Sequence, residues 1–138
     1  MKKSSQKRAL FIGRWQPLHD GHRWLIDNKL SKDVPVLVAV RDIPPDDKNP
    51  FTTEQTIEMI NKVYKNKDVE VIAISDIESV NYGRGVGYEI NEFVPPPDVG
   101  FISATAIREN IKNDDDTWKQ NVDHSIHDLV IEYLKEKI

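Results

Sequence analysis

The chain has 138 residues, of which 38% are apolar, and 19 basic against 23 acidic side chains leave a net charge of −4. That length supports one domain around one core. It holds no apolar run near the ~20 residues that cross a bilayer, no apolar segment after the polar N-terminus to read as a signal peptide, and no cysteine for a disulfide or a thiolate zinc site. The acidic balance argues against long nucleic acid, whose binders carry basic surfaces. A small anionic ligand stays open, because a local cluster of donors can outweigh global charge. No membrane partner is expected, and a reducing, cytoplasmic setting fits.

Met1 to Lys7 is polar and reads as a frayed, flexible segment. Arg8 to Gly13 reads as a short buried strand, and Asp20 to Leu30 as a helix with Trp24, Leu25 and Leu30 on its apolar face. Val34 to Val40 is almost wholly aliphatic, as in a parallel strand covered on both sides. Arg41 to Asn49 is a loop. Thr52 to Tyr64 is the clearest amphipathic helix, capped by Thr52 or Thr53. Val69 to Ile74 is a third strand, and Ser79 to Gly87 a glycine-rich loop. Three prolines, Pro95 to Pro97, end any regular element there. Val99 to Ile102 reads as a short strand, Thr105 to Ile111 as a short helix, Asn113 to Thr117 as an acidic turn, and Val122 to Ile138 as a closing helix.

Strands alternating with helices predict an α/β fold, a Rossmann-like three-layer α/β/α domain with a mainly parallel sheet, over residues 8–138 as a single domain. In such sheets ligands sit at the carboxyl ends of the strands. Two segments start there. In the first, Leu10-Phe11-Ile12-Gly13-Arg14-Trp15-Gln16-Pro17-Leu18-His19-Asp20-Gly21-His22, glycine ends a strand and two histidines share one face of the opening of a helix. A helix start offers unpaired N–H groups and a partial positive charge, which suits phosphate. The spacing alone also describes two surface histidines, and His124 and His127 repeat it in the last helix, where both read as solvated. Structural zinc is disfavoured, since no cysteine is available and the two pairs lie far apart.

In the second segment, Phe101-Ile102-Ser103-Ala104-Thr105-Ala106-Ile107-Arg108, hydroxyls stand where a helix needs a cap, and Arg108 follows Thr105 by three. A cation in a first helical turn opposes the dipole by ~0.3–1 kcal/mol, a conflict that a bound anion removes. An ordinary cap with Arg108 in water is the plain alternative. Gly83-Arg84-Gly85-Val86-Gly87 lacks the helix that a dinucleotide fingerprint needs directly afterwards, and Asp114-Asp115-Asp116 reads as a solvated helix approach, so no metal ligands are assigned.

The run Gly13 to His22 resembles the HxGH signature of the nucleotidyltransferase superfamily, in particular the archaeal-type nicotinamide-mononucleotide adenylyltransferases. Ile102-Ser103-Ala104-Thr105-Ala106-Ile107-Arg108 resembles its second signature, I-S-x-T-x-x-R, and Lys48-Asn49-Pro50-Phe51-Thr52 a further segment of the archaeal type. The resemblance implies transfer of a nucleoside monophosphate group, AMP from ATP, to a phosphorylated small-molecule acceptor, with pyrophosphate released. It implies His19, His22 and Arg108 as catalytic residues and Ile12, Gly13, Arg14, Trp15, Gly21, Lys48, Ser103 and Thr105 as nucleotide-binding residues. The histidines would hold the α/β-phosphate region; Ser103, Thr105 and Arg108 the departing phosphates; and Mg²⁺ would bridge phosphates while keeping waters. Arg41, Tyr82 and Arg84 are expected on the acceptor side, and homo-oligomers occur among small members. A solvated loop lysine is the plain alternative for Lys48.

The chain departs from the archaeal type by a compact, proline-rich stretch between the third strand and the second signature, which reshapes the acceptor pocket. It also lacks the R-T-x-G-I-S-T run of the small cytidylyltransferases, which favours ATP over CTP. Three other readings compete: a cytidylyltransferase using CTP and a phosphorylated alcohol, a non-catalytic nucleotide-binding module, and a domain for protein association. Pyrophosphate release separates the first two, and a thermal shift with nucleotide tests the third.

Overall fold

The computed structural model describes residues 7–85 and 87–135. Most of the segment expected to fray, residues 1–6, lies outside this range, as do Val86 and residues 136–138 at the end of the expected closing helix. Three strands, β1 (Ala9–Gly13), β2 (Val36–Asp42) and β3 (Val69–Ser75), form a parallel sheet in the order β1-β2-β3. Helix α1 (Asp20–Leu30) crosses from β1 to β2, and α2 (Thr53–Val63) from β2 to β3. The register sets Gly13 beside Val40 and Asp42 beside Ser75, so all three strands end at one edge of the sheet.

Strand alternation decides the core. Ala9, Phe11, Val36, Val38, Val40, Val69 and Val71 point to one face and pack with Ile26 and Leu30 of α1 and Ile57, Ile60 and Tyr64 of α2 and its cap. The opposite face carries Leu10, 55% exposed, and Ile72, 37% exposed. A second core forms on the outer side of α2, where Phe51, Met59, Ile107, Trp118, Val122, Ile126 and Val130 meet. It holds α4 (Ala104–Lys112), two 3₁₀ turns (Asp116–Asn121 and His124–Ile126) and α5 (His127–Lys135). The parallel α/β architecture expected from the sequence is present, and among the described residues the helical layers lie on the α2 side.

Two elements differ from expectation. The strand expected at Val99 to Ile102 is instead a short helix, α3 (Pro97–Gly100). Pro97 stands at its first position, where a fixed φ suits a helix and the missing N–H costs nothing. The closing helix begins at His127 rather than Val122, because the Asp123 side chain accepts from the Ser125 N–H and turns the chain through a 3₁₀ segment first. His127 is also not solvated: its ring lies 5.1 Å from Trp118, edge to face, and its Nε2 is 2.7 Å from the Val122 carbonyl oxygen. No helix of the described residues is long and apolar enough to cross a membrane.

Candidate active site

β1 delivers the chain to a tight turn at the sheet's carboxyl edge. Trp15 adopts φ 54°, a left-handed conformation costing of order 1–3 kcal/mol in a residue other than glycine. Its indole turns back over Gly13, where an added Cβ would lie 2.9 Å from the ring, and its Nε1 donates to the Ala39 carbonyl at 3.2 Å. Burial of this large side chain offsets the strain. The structure places the indole of Trp15, expected among the nucleotide-binding residues, in the core, edge-on to His22 at 4.8 Å. Gly13 likewise makes room for that indole.

Helix α1 opens on a capping box built from two imidazoles. His19 is the N-cap, and its Nδ1 accepts from the Gly21 N–H at 3.0 Å. The His22 Nδ1 accepts from the His19 N–H at 3.3 Å. A box of this kind is normally made by Ser or Thr with Glu or Gln, and it satisfies orphan donors at the helix start. The rings stack with centroids 3.8 Å apart. Gly21 is required by this packing, since a Cβ there would lie 2.8 Å from the His19 ring.

These bonds assign the tautomers. Each Nδ1 is an acceptor, so in the neutral ring each proton sits on Nε2. Burial pushes His19 down to about 4. Burial pushes His22 down to about 3, with the neighbouring His19 adding to the shift. Both imidazoles are thus neutral near pH 7. Each has one N–H to give.

The second motif reaches the first directly. Ser103 caps α4 by accepting from the Ala106 N–H at 3.1 Å. Arg108 therefore lies in the second turn, and the dipole conflict expected of a first-turn cation falls away. Its Nη1 donates to the Gln16 carbonyl at 2.7 Å across 92 residues of sequence, and its Nη2 lies 3.4 Å from Thr105 Oγ1. Burial draws Arg108 below the ordinary arginine value, against the pull of Asp46 and Glu109. The segment before α4 also meets α1, with the Val99 carbonyl 3.6 Å from the position of a Gly21 Cβ.

Lys48 joins Arg108 and Thr105 along a cleft of about 1110 Å³, with Asp46, Asp47 and Glu109 on the same walls. The imidazoles do not line this cleft. Asp46 shapes the loop that carries Lys48, its Oδ1 accepting from the Lys48 and Asn49 N–H groups and from Asn49 Nδ2. Those bonds, the Asn49 side chain foremost, hold the Asp46 carboxyl below the usual range.

Of the other expected site residues, Ile12 is the half-buried penultimate residue of β1, and Arg14 is exposed near Asp46 and Asp76. Arg41, near the end of β2, is already engaged: its Nε donates to Asp76 Oδ1 at 2.8 Å, and its Nη2 shares the same oxygen. Tyr82, 63% exposed, and Arg84 lie in the exposed loop after β3, and the structure does not bring them to the histidines or to Arg108. Sequence reasoning missed Gln16. Its buried side chain accepts from the Phe51 N–H at 2.9 Å and donates to the Phe51 carbonyl at 3.2 Å. Only its place inside the first motif could have flagged it. No group of three or more His, Cys, Asp or Glu side chains among the described residues converges as a metal site.

A parallel α/β sheet whose carboxyl edge carries a helix start with two neutral imidazole donors belongs to the open α/β class in which ligands sit at the strand ends. Residues 10–94 match the family model described as cytidylyltransferase-like, and the chain belongs to that family. It is similar to a nicotinamide-nucleotide adenylyltransferase of Methanococcus maripaludis, 30% identical over 105 residues that cover 74% of this chain and 60% of the relative. A relative of the same name from Thermococcus sibiricus is 26% identical across 94% of this chain and 83% of its own length. A solved bifunctional NMN adenylyltransferase/ADP ribose pyrophosphatase from Francisella tularensis aligns over 51% of this chain and 23% of its own, at 29% identity and a TM-score of 0.46. The chain thus spans about three fifths of the length of the Methanococcus relative.

Proposed function

We propose that residues 8–138 form one nucleotidyltransferase domain, which transfers AMP from ATP to a phosphorylated small-molecule acceptor and releases pyrophosphate. The observation that carries this reading is the Arg108 bond to the Gln16 carbonyl, which brings the two phosphate-directed segments into contact. The names of the relatives favour adenylyl transfer over cytidylyl transfer and put nicotinamide mononucleotide among the acceptors to test.

An acceptor phosphate oxygen attacks the α-phosphorus in line. A new P–O bond forms as the bond to the β-phosphate bridging oxygen breaks, and pyrophosphate leaves with that electron pair. The acceptor oxygen is already ionised near neutral pH, so no general base is needed, in accord with imidazoles too acidic to be protonated and held as donors. Positioning and charge stabilisation supply the rate. The Nε2–H groups of His19 and His22 donate to the α/β-phosphate region, and donors aimed where charge develops are worth about 2.7–4 kcal/mol each. Lys48, Ser103, Thr105 and Arg108 take the departing pyrophosphate.

The donor set fits magnesium that arrives on the nucleotide. Lys48, Arg108 and the imidazole N–H groups bind phosphate rather than metal, and Asp46 Oδ1 already accepts three N–H bonds. Bound Mg²⁺ would neutralise phosphate charge, with Asp47 among the cleft-wall carboxylates that would meet its waters. Pyrophosphate release from ATP and from CTP, against a panel of phosphorylated acceptors that includes nicotinamide mononucleotide, tests the assignment. Release from ATP with one acceptor is expected. A preference for CTP overturns the adenylyl assignment, and no release with any pair overturns the transferase.

A further inference from the structure

We propose that Gln16 is a positioning residue that fixes Lys48 and Arg108 relative to each other, so that the two cations grip one pyrophosphate group as a unit. The inference rests on the cleft being a triphosphate site, as proposed above.

Gln16 is only 8% exposed, and its contacts run to the segment before α2, to α2 itself and to α4. Its amide pairs with both main-chain groups of Phe51, as a neighbouring strand residue would. Its Nε2 also lies 3.4 Å from Thr56 Oγ1, and that hydroxyl donates to the Thr52 carbonyl at 2.9 Å. The start of α2 and the segment before it are therefore pinned to the first motif. Phe51 itself is buried in the second core, so this end of the loop is held on both sides. Lys48 lies three residues earlier, and the Asp46 bonds to Lys48, Asn49 and the Asn49 amide hold the loop's outer end. The main-chain carbonyl of the same Gln16 receives Arg108. One buried residue thus anchors the loop bearing one cation and the guanidinium of the other.

Both cations line the same cleft, together with carboxylates of Asp46, Asp47 and Glu109. A polyanion entering it must meet the cations while avoiding those carboxylates, so the spacing of Lys48 and Arg108 sets the affinity. A carboxamide is suited to the anchor because it both donates and accepts. A buried polar group left without its partner is penalised, which keeps the segment from sliding.

Titration calorimetry with inorganic pyrophosphate and magnesium tests this on the whole chain. Gln16→Met keeps the side-chain length and removes every amide bond. It is expected to loosen pyrophosphate about tenfold, as is Lys48→Ala, and the double variant is expected to bind no more weakly than the weaker single variant. In turnover, Gln16→Met raises the KM for ATP more than it lowers kcat. Unchanged affinity in Gln16→Met, losses that multiply in the double variant, or a wild type that binds no pyrophosphate overturns the inference. If Gln16→Met does not fold, Thr56→Val removes one partner of the amide without changing shape, and its smaller loss must likewise vanish in the Lys48→Ala background. A wild type that binds pyrophosphate cooperatively in this sense yet releases none from ATP or CTP overturns the transferase reading and leaves the role of Gln16 standing. Turnover with multiplying losses does the reverse.

Discussion

The histidine wall and the cation wall, which do not line one cleft, are built by opposite means. The histidine wall is dry: two stacked rings, both depressed by burial, are oriented by main-chain bonds and backed by the Trp15 indole. The cation wall is wet: Lys48 is exposed and Arg108 half-buried, and their charge acts across a cleft that also holds carboxylates. One wall contributes direction and the other contributes charge. Direction matters most when charge is redistributed in the transition state, whereas charge acts on bound ground state and transition state alike.

The contrast predicts where each variant fails. His22→Ala is expected to lower kcat about 100- to 1000-fold while the far-ultraviolet circular dichroism stays that of the wild type. A variant that keeps wild-type kcat would remove the directed-donor role. Arg108→Ala is expected to cost about 10- to 100-fold in kcat/KM, chiefly through the KM for ATP, as befits loss of a charged hydrogen-bonding group. If kcat alone fell, the two walls would not differ in kind.

Acid tests the dry wall through stability. Well above pH 6.5 the rings are neutral both folded and unfolded and add no pH dependence. As pH falls, the unfolded chain takes up protons at the ordinary histidine value of 6.5, while the folded rings resist until about 4 for His19 and about 3 for His22. Stability is therefore lost progressively as pH falls from about 6.5 toward 4. Denaturant midpoints across that window should show the slope, and His22→Asn should flatten it. Salt tests the wet wall and gives the smallest effect. The KM for ATP should rise a few-fold on going to about 0.3 M salt, where screening shortens to well under ~10 Å, with kcat nearly constant. A kcat that tracked salt would contradict the division.

Much of this arrangement is legible in the sequence, where local rules and tertiary packing agree. α1 spans the expected residues, and Thr52 caps α2 with Gln55 in a regular capping box. β2 runs two residues further than the expected strand and carries Arg41 within it. Failures came where one residue type serves two ends. The local sequence around Trp15 does not announce that its ring fills the space over Gly13, which follows from the left-handed φ of 54°. Valine and isoleucine around Gly100 read as a strand, yet Pro97 starts a helix there. Arg41 is expected on the acceptor side, and nothing in its local sequence announces its pairing with Asp76, 35 residues on. Gln16 was invisible because its partners, Phe51 and Arg108, come from distant parts of the chain.

The two glycines beside the site have a practical bearing on redesign. Methyl groups at 13 and 21 would collide with the Trp15 and His19 rings, so neither position has room to vary without dismantling the donors. Gly83 faces open space, and its neighbours Tyr82 and Arg84 lie in the same outlying loop. That loop can therefore be varied while the packing around positions 13 and 21 stays fixed, which separates the part of this small scaffold that tolerates change from the part that does not.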